Sequence, residues 1–111
     1  MQRDDAVVLD DMLRYARLAV TRMGGKTRAE FNDDVDLQDA SVRRVQVIGE
    51  AARVVSDSFK QAHPEIPWDK ITGMRHRMVH DYRRIDLEVV WRVVTEHLPP
   101  LIAFLEKLDL K

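Results

Sequence analysis

Apolar residues recur along this chain three and four positions apart, and no stretch alternates as a half-buried strand would. The spacing predicts a first helix from Asp4 to Met23, with Val8, Met12, Tyr15, Ala19 and Met23 on one side. Asp4 and Asp5 suit the positive end of its dipole, and Gly24-Gly25 stops it. A short helix is predicted from Thr27 to Phe31, followed by turn and capping residues from Asp33 to Asp36. The second long helix is predicted from Leu37 to Ala62, capped by Asp36. Val42, Val45, Ile48, Ala52, Val55 and Phe59 form its stripe. Gly49 costs about 1 kcal/mol against Ala in a helix interior, so a packing reason is expected for it.

His63-Pro64-Glu65-Ile66-Pro67 breaks the pattern. Pro67 suits the first position of a helix running from Pro67 to His80, because its missing N–H is harmless there. The last helix begins after Asp86 and uses Val89, Val90, Val93 and Val94. Pro99-Pro100 kinks it, and it resumes through Leu101, Phe104, Leu105 and Leu108. These elements make an all-α antiparallel bundle of four main helices plus one short helix, in a single domain over residues 1–111.

Composition narrows the chemistry. The 111 residues carry 18 Lys and Arg against 19 Asp and Glu, and no Cys. A disulfide framework, a thiolate zinc site and a cysteine nucleophile are excluded. No apolar run approaches the ~20 residues of a membrane span and no apolar signal core opens the chain, so a cytoplasmic protein without membrane contact is expected. The near-zero net charge hides segregation. Glu30, Asp33, Asp34, Asp36 and Asp39 form an acidic stretch, whereas Arg75 to Arg84 holds four Arg and two His. Thirteen of the 18 basic residues are Arg, the better residue for bidentate contact with phosphate.

The informative segment is Gly73-Met74-Arg75-His76-Arg77-Met78-Val79-His80-Asp81-Tyr82. On a helix, Trp68, Ile71, Met74, Met78, Val79 and Tyr82 share one apolar arc. Arg75 falls inside it, which directs a guanidinium toward an interface or crevice; a structural ion pair is the alternative. His76 and His80 are four apart, a spacing open to metal binding, to acid–base work or to no chemistry. The protease-type zinc motif needs Glu after the first His, and Arg77 stands there, so no metal is expected. Arg75 and His80 lie about 140° apart on an ideal helix. They cooperate only if the helix ends near His80 or if a second subunit completes the site, as two-fold pairing would allow.

Arg75-x4-His80-x-Tyr82 resembles the Arg-x4-His-x-Tyr motif of HEPN-domain ribonucleases, in particular the HepT toxins of HepT–MntA toxin–antitoxin pairs. Ile48-Gly49-Glu50-Ala51-Ala52, His63-Pro64-Glu65-Ile66-Pro67-Trp68, Gly73-Met74-Arg75, Ile85-Asp86-Leu87 through Trp91 and Leu98-Pro99 are similar to that family in the same order. The departure is His76, where the family most often has Asn. The resemblance implies a HEPN-type fold, a homodimer, and metal-independent endonucleolytic cleavage of RNA without a cofactor, leaving a 2′,3′-cyclic phosphate. It implies that Arg75 and His80 are catalytic, with His76 and Glu50 as supporting candidates. It implies that Tyr82 is adenylylated by a minimal nucleotidyltransferase antitoxin, which silences the toxin. Glu50 has a plainer reading as a solvated surface carboxylate, and Trp68 and Trp91 as core aromatics. The competing function is a non-catalytic HEPN binding or scaffold module that holds a nucleotide or anion through Arg75 and His80.

Overall fold

A computed structural model describes residues 3–81 and 84–108. The architecture is all-α, with one short pair of strands. Helix α1 (Arg3–Met23) closes at Gly24, whose N–H reaches the Val20 carbonyl at 2.9 Å. Gly25 then takes φ 79°, a left-handed conformation that only Gly adopts cheaply. Leu9, Met12, Ala16, Ala19 and Met23 are buried, while Val8 and Tyr15 are half-buried, so the inward face is rotated slightly from the predicted stripe. Thr27 caps α2 (Arg28–Asn32) with a reciprocal box, its hydroxyl accepting from Glu30 N–H and its own N–H donating to the Glu30 carboxylate.

Helix α3 (Val35–Val54) is capped by Asp34, two residues earlier than expected. It also ends sooner. Val55 turns to an extended conformation and Ser56 caps a separate helix, α4 (Asp57–Ala62). The predicted helix through Ala62 is therefore two helices, and the reason is tertiary. Buried Asp5, from the first turn of α1, accepts from Ser56 N–H at 2.9 Å and from Ser56 Oγ at 2.6 Å. A side chain 51 positions away thus supports the break. This contact also shows that α1 and α3 run antiparallel.

The predicted helix from Pro67 to His80 is likewise divided. Pro67 precedes α5 (Trp68–Thr72) as its cap rather than its first residue, Gly73 separates α5 from α6 (Met74–Met78), and the chain then becomes β1 (Val79–Asp81). Strand β1 pairs antiparallel with β2 (Arg84–Ile85), with a register slip between Val79 and Asp81. Asp86 caps α7 (Leu87–Arg92) as its sequence context indicates. A π turn (Val93–His97) leads directly into α8 (Leu98–Glu106). Leu98 N–H bonds to the Val93 carbonyl, and Pro99 and Pro100 sit in the first turn of α8, where their missing donors cost little. The chain passes two prolines without a loop.

The core lies where α1, α3 and α8 meet, closed below by Met74 and Met78 of α6. Gly49 has the expected packing reason: a Cβ there would stand 3.3 Å from the Ile71 carbonyl oxygen, so α3 and α5 approach as backbones. Trp68 is buried, donates its indole N–H to the His63 carbonyl, and meets Phe59 edge-on at 6.1 Å. Trp91 packs on Phe31 at 5.6 Å. Both indoles serve the core.

Candidate functional site

A groove of ≈ 500 Å³ runs between α1 and α3 and ends against α6. Val8 and Asp11 come from α1, and Arg43, Gln46, Val47, Glu50, Ala51 and Val54 from α3; Arg75 reaches in from α6. Positions 43, 47, 50 and 54 recur at helical spacing, which puts two charged and two apolar side chains on one face. Val54 is 53% exposed and Val7, beside the groove's Val8, 57% exposed, so apolar surface faces outward here.

Arg75 lines this crevice. Among the described residues its side chain makes no hydrogen bond or ion pair, and the residue is exposed. Glu50 is exposed as well. Its carboxylate accepts from Arg53 Nη2 at 2.5 Å and from Nε at 3.1 Å. That pair first, and the nearby charge of Arg75 second, hold the Glu50 carboxyl below the usual range. Glu50 thus shares the groove with Arg75 while bonding to Arg53, as an exposed carboxylate. His76 is exposed on α6, with its backbone N–H on the Gly73 carbonyl.

His80 follows the end of α6 by two residues. Its backbone lies in β1, at the register slip, where one strand carries an extra residue. Its side chain lies outside the described residues, as does Tyr82. The separation of 140° imposed by a continuous helix therefore does not apply, because the helix stops at Met78.

Asp11 and Arg43 belong to this groove and were not singled out from the sequence. Arg43 was legible, since it shares the i, i+4, i+7 spacing with Val47 and Glu50. Asp11 was not, because the relative rotation of two helices is not written in either one.

The family described as ribonuclease HepT-like matches residues 12–108. The chain belongs to the HepT-like ribonuclease family. A protein named "Probable ribonuclease HepT" from Thermococcus cleftensis is 39% identical over 79 residues, covering 71% of this chain and 72% of the relative. A "Putative RNase" from Caldanaerobacter subterraneus subsp. tengcongensis is 29% identical, covering 84% of this chain and 83% of its own. A "Putative RNase" from Methanocaldococcus jannaschii is 29% identical over 90% of this chain and 92% of its own. No solved structure matches the chain. The HepT-like match spans the α3 and α6 sides of the groove, the α6–β1 boundary and α8 together, and the all-α architecture agrees with it. Among the described residues, no helix is long and apolar enough to cross a membrane.

Proposed function

We propose that this HepT-like chain is a metal-independent endoribonuclease toxin whose active site forms where two copies meet along the α1–α3 groove. The observation that carries this reading is the end of α6 at Met78. It leaves Arg75 on the helix, lining the groove, and puts His80 on a strand, free of the helical angle that would hold the two apart.

In the reaction, the 2′-oxygen of the RNA attacks the adjacent phosphorus as its proton leaves. The bond to the 5′-oxygen breaks as that oxygen gains a proton, giving a 2′,3′-cyclic phosphate and a 5′-hydroxyl. His80 transfers one proton, and His80 or His76 of the second copy the other. Arg75 holds the phosphate and meets the charge that develops on its equatorial oxygens. Among the described residues its guanidinium has no ion-pair partner, which suits this role, since a guanidinium already bonded to carboxylate would have to break that bond first. Glu50, tied to Arg53, leaves Arg75 available and adds a groove-side carboxylate that limits how deeply a polyanion enters. The exposed Val7 and Val54 are the apolar surface that the second copy covers. Tyr82, one position after β1 in the sequence, is the adenylylation site: an attached nucleotide adds negative charge and bulk to the motif segment that carries Arg75. The partner that installs it is a minimal nucleotidyltransferase antitoxin.

The test is digestion of a fluorescent RNA with and without chelator. Cleavage that survives chelator and yields a cyclic phosphate end supports the reading. Cleavage that persists in Arg75→Ala or His80→Ala rejects the assignment. Absence of an added nucleotide on the Tyr82 peptide, after co-expression with the antitoxin, rejects the modification.

A further inference from the structure

A second concavity, ≈ 260 Å³ in volume, lies across α6 from the groove, between α5, α6 and α8. Its floor is apolar, with buried Ile71 and Met74 and the half-buried ring of Phe104. Its rim carries Lys70, Arg77 and His97, all exposed, and among the described residues no carboxylate lines it. Arg77 Nη2 donates to the Lys70 carbonyl at 3.3 Å, which holds that guanidinium over the opening; among the described residues its other donors have no partner. The volume equals about nine liquid waters, room enough for one nucleobase. Arg75 and Arg77 are two residues apart and so about 200° apart around α6, a helix ~10–12 Å across with its side chains.

The geometry points to a subsite for one nucleotide of a single-stranded RNA, flanking the scissile phosphate. The base stacks on Phe104 over the Met74–Ile71 floor, and Lys70 and Arg77 take the adjoining phosphates. An aromatic face under a cationic rim is the arrangement that binds unpaired bases with little sequence preference. A purely cationic rim also fits an acidic peptide, but such a peptide has no use for an aromatic floor of base size. The inference rests on the RNA reading above and extends it to residues outside the motif segment's Arg75 and His80.

The test uses a labelled eight-nucleotide RNA carrying 2′-O-methyl groups, which binds without being cut because the nucleophile is blocked. Binding to the whole protein is followed by fluorescence anisotropy across a salt series. Lys70→Glu with Arg77→Glu is expected to weaken binding at least tenfold. The slope of log affinity against log salt should become shallower by about 1.4, the value for two phosphate contacts on a single strand. Phe104→Leu keeps the apolar packing and removes the stacking face; a loss of about tenfold is expected. Thermal melting verifies that each variant is folded. Unchanged affinity and slope in the folded double variant overturn the subsite. So does displacement of the RNA by a polyglutamate of equal charge at equal concentration, which would make the pocket a peptide site. Binding with these effects, but no cleavage of unmodified RNA, supports the subsite and sinks the nuclease reading alone. Failure of the wild-type protein to bind RNA overturns both.

Discussion

The two sides of α6 differ in charge and shape although only one residue separates Arg75 from Arg77. On the Arg75 side the groove is wide, floored by valines, and balanced between Asp11 and Glu50 on one hand and Arg43 and Arg75 on the other. On the Arg77 side the pocket is half as large, floored by a ring, and bordered by Lys70, Arg77 and His97 with no carboxylate among the described residues. Balanced charge on an apolar strip suits a self-complementary protein contact, because each copy offers both signs. An unbalanced rim suits a polyanion. A single five-residue helix can thus present one Arg to a groove of balanced charge and another to a basic rim, with its Met74 and Met78 buried in the core.

Several changes would break or sharpen this contrast, the largest first. Arg75→Ala and His80→Ala should each lower the cleavage rate by at least ~10³-fold, within the range that positioned acid–base and charge-stabilising groups supply. A discontinuous activity assay measures it, and sedimentation should show an unchanged oligomeric state. Val54→Glu places a charge on the apolar strip. Sedimentation should then show monomers and cleavage should fall with the dimer, whereas Lys70→Glu with Arg77→Glu should leave assembly intact.

Gly49→Val tests the scaffold behind both sides. The added atoms meet the Ile71 carbonyl, and overpacking of this kind costs about 2–3 kcal/mol, read as a lowered thermal midpoint. Ser56→Ala removes a helix cap and the Asp5 bond together and should cost about 1–2 kcal/mol. The smallest effect concerns pH. The Thr27 backbone and side chain hold the Glu30 carboxyl below its ordinary value. A group depressed in the folded state stabilises it above the unfolded pKa and loses that contribution as pH falls through the folded pKa. Glu30→Gln should therefore flatten the acid side of the stability profile slightly and leave neutral pH activity unchanged. A profile identical to that of the parent protein would remove the capping box as a contributor.

Much of the fold was legible from local chemistry. Gly24-Gly25, Thr27 and Asp86 act where their own side chains or backbone freedom act, within a few residues, so the sequence displays them directly. Gly49 announced a close approach because nothing else justifies Gly in the middle of a helix. The motif segment stood out through one misplaced Arg in an apolar arc. The divided helices were less legible. Val54-Val55-Ser56-Asp57 continues a helical stripe through Phe59, and Gly73 sits in a pattern that otherwise reads as helix up to His80. A strand of three residues is too short to show alternation.

By itself, the order of residues determined the all-α class, the cap at Asp86, most of the buried apolar positions and the distinctive cluster from Gly73 to Tyr82. These depend on contacts within one or two helical turns. Only the tertiary structure decided that Asp5 would support the break at Ser56, that Arg75 would face a groove shared with Asp11, and that Lys70, Arg77 and His97 would ring one pocket. Each joins side chains from elements distant in the chain, and their meeting depends on the rotation and spacing of packed helices, which no local pattern specifies.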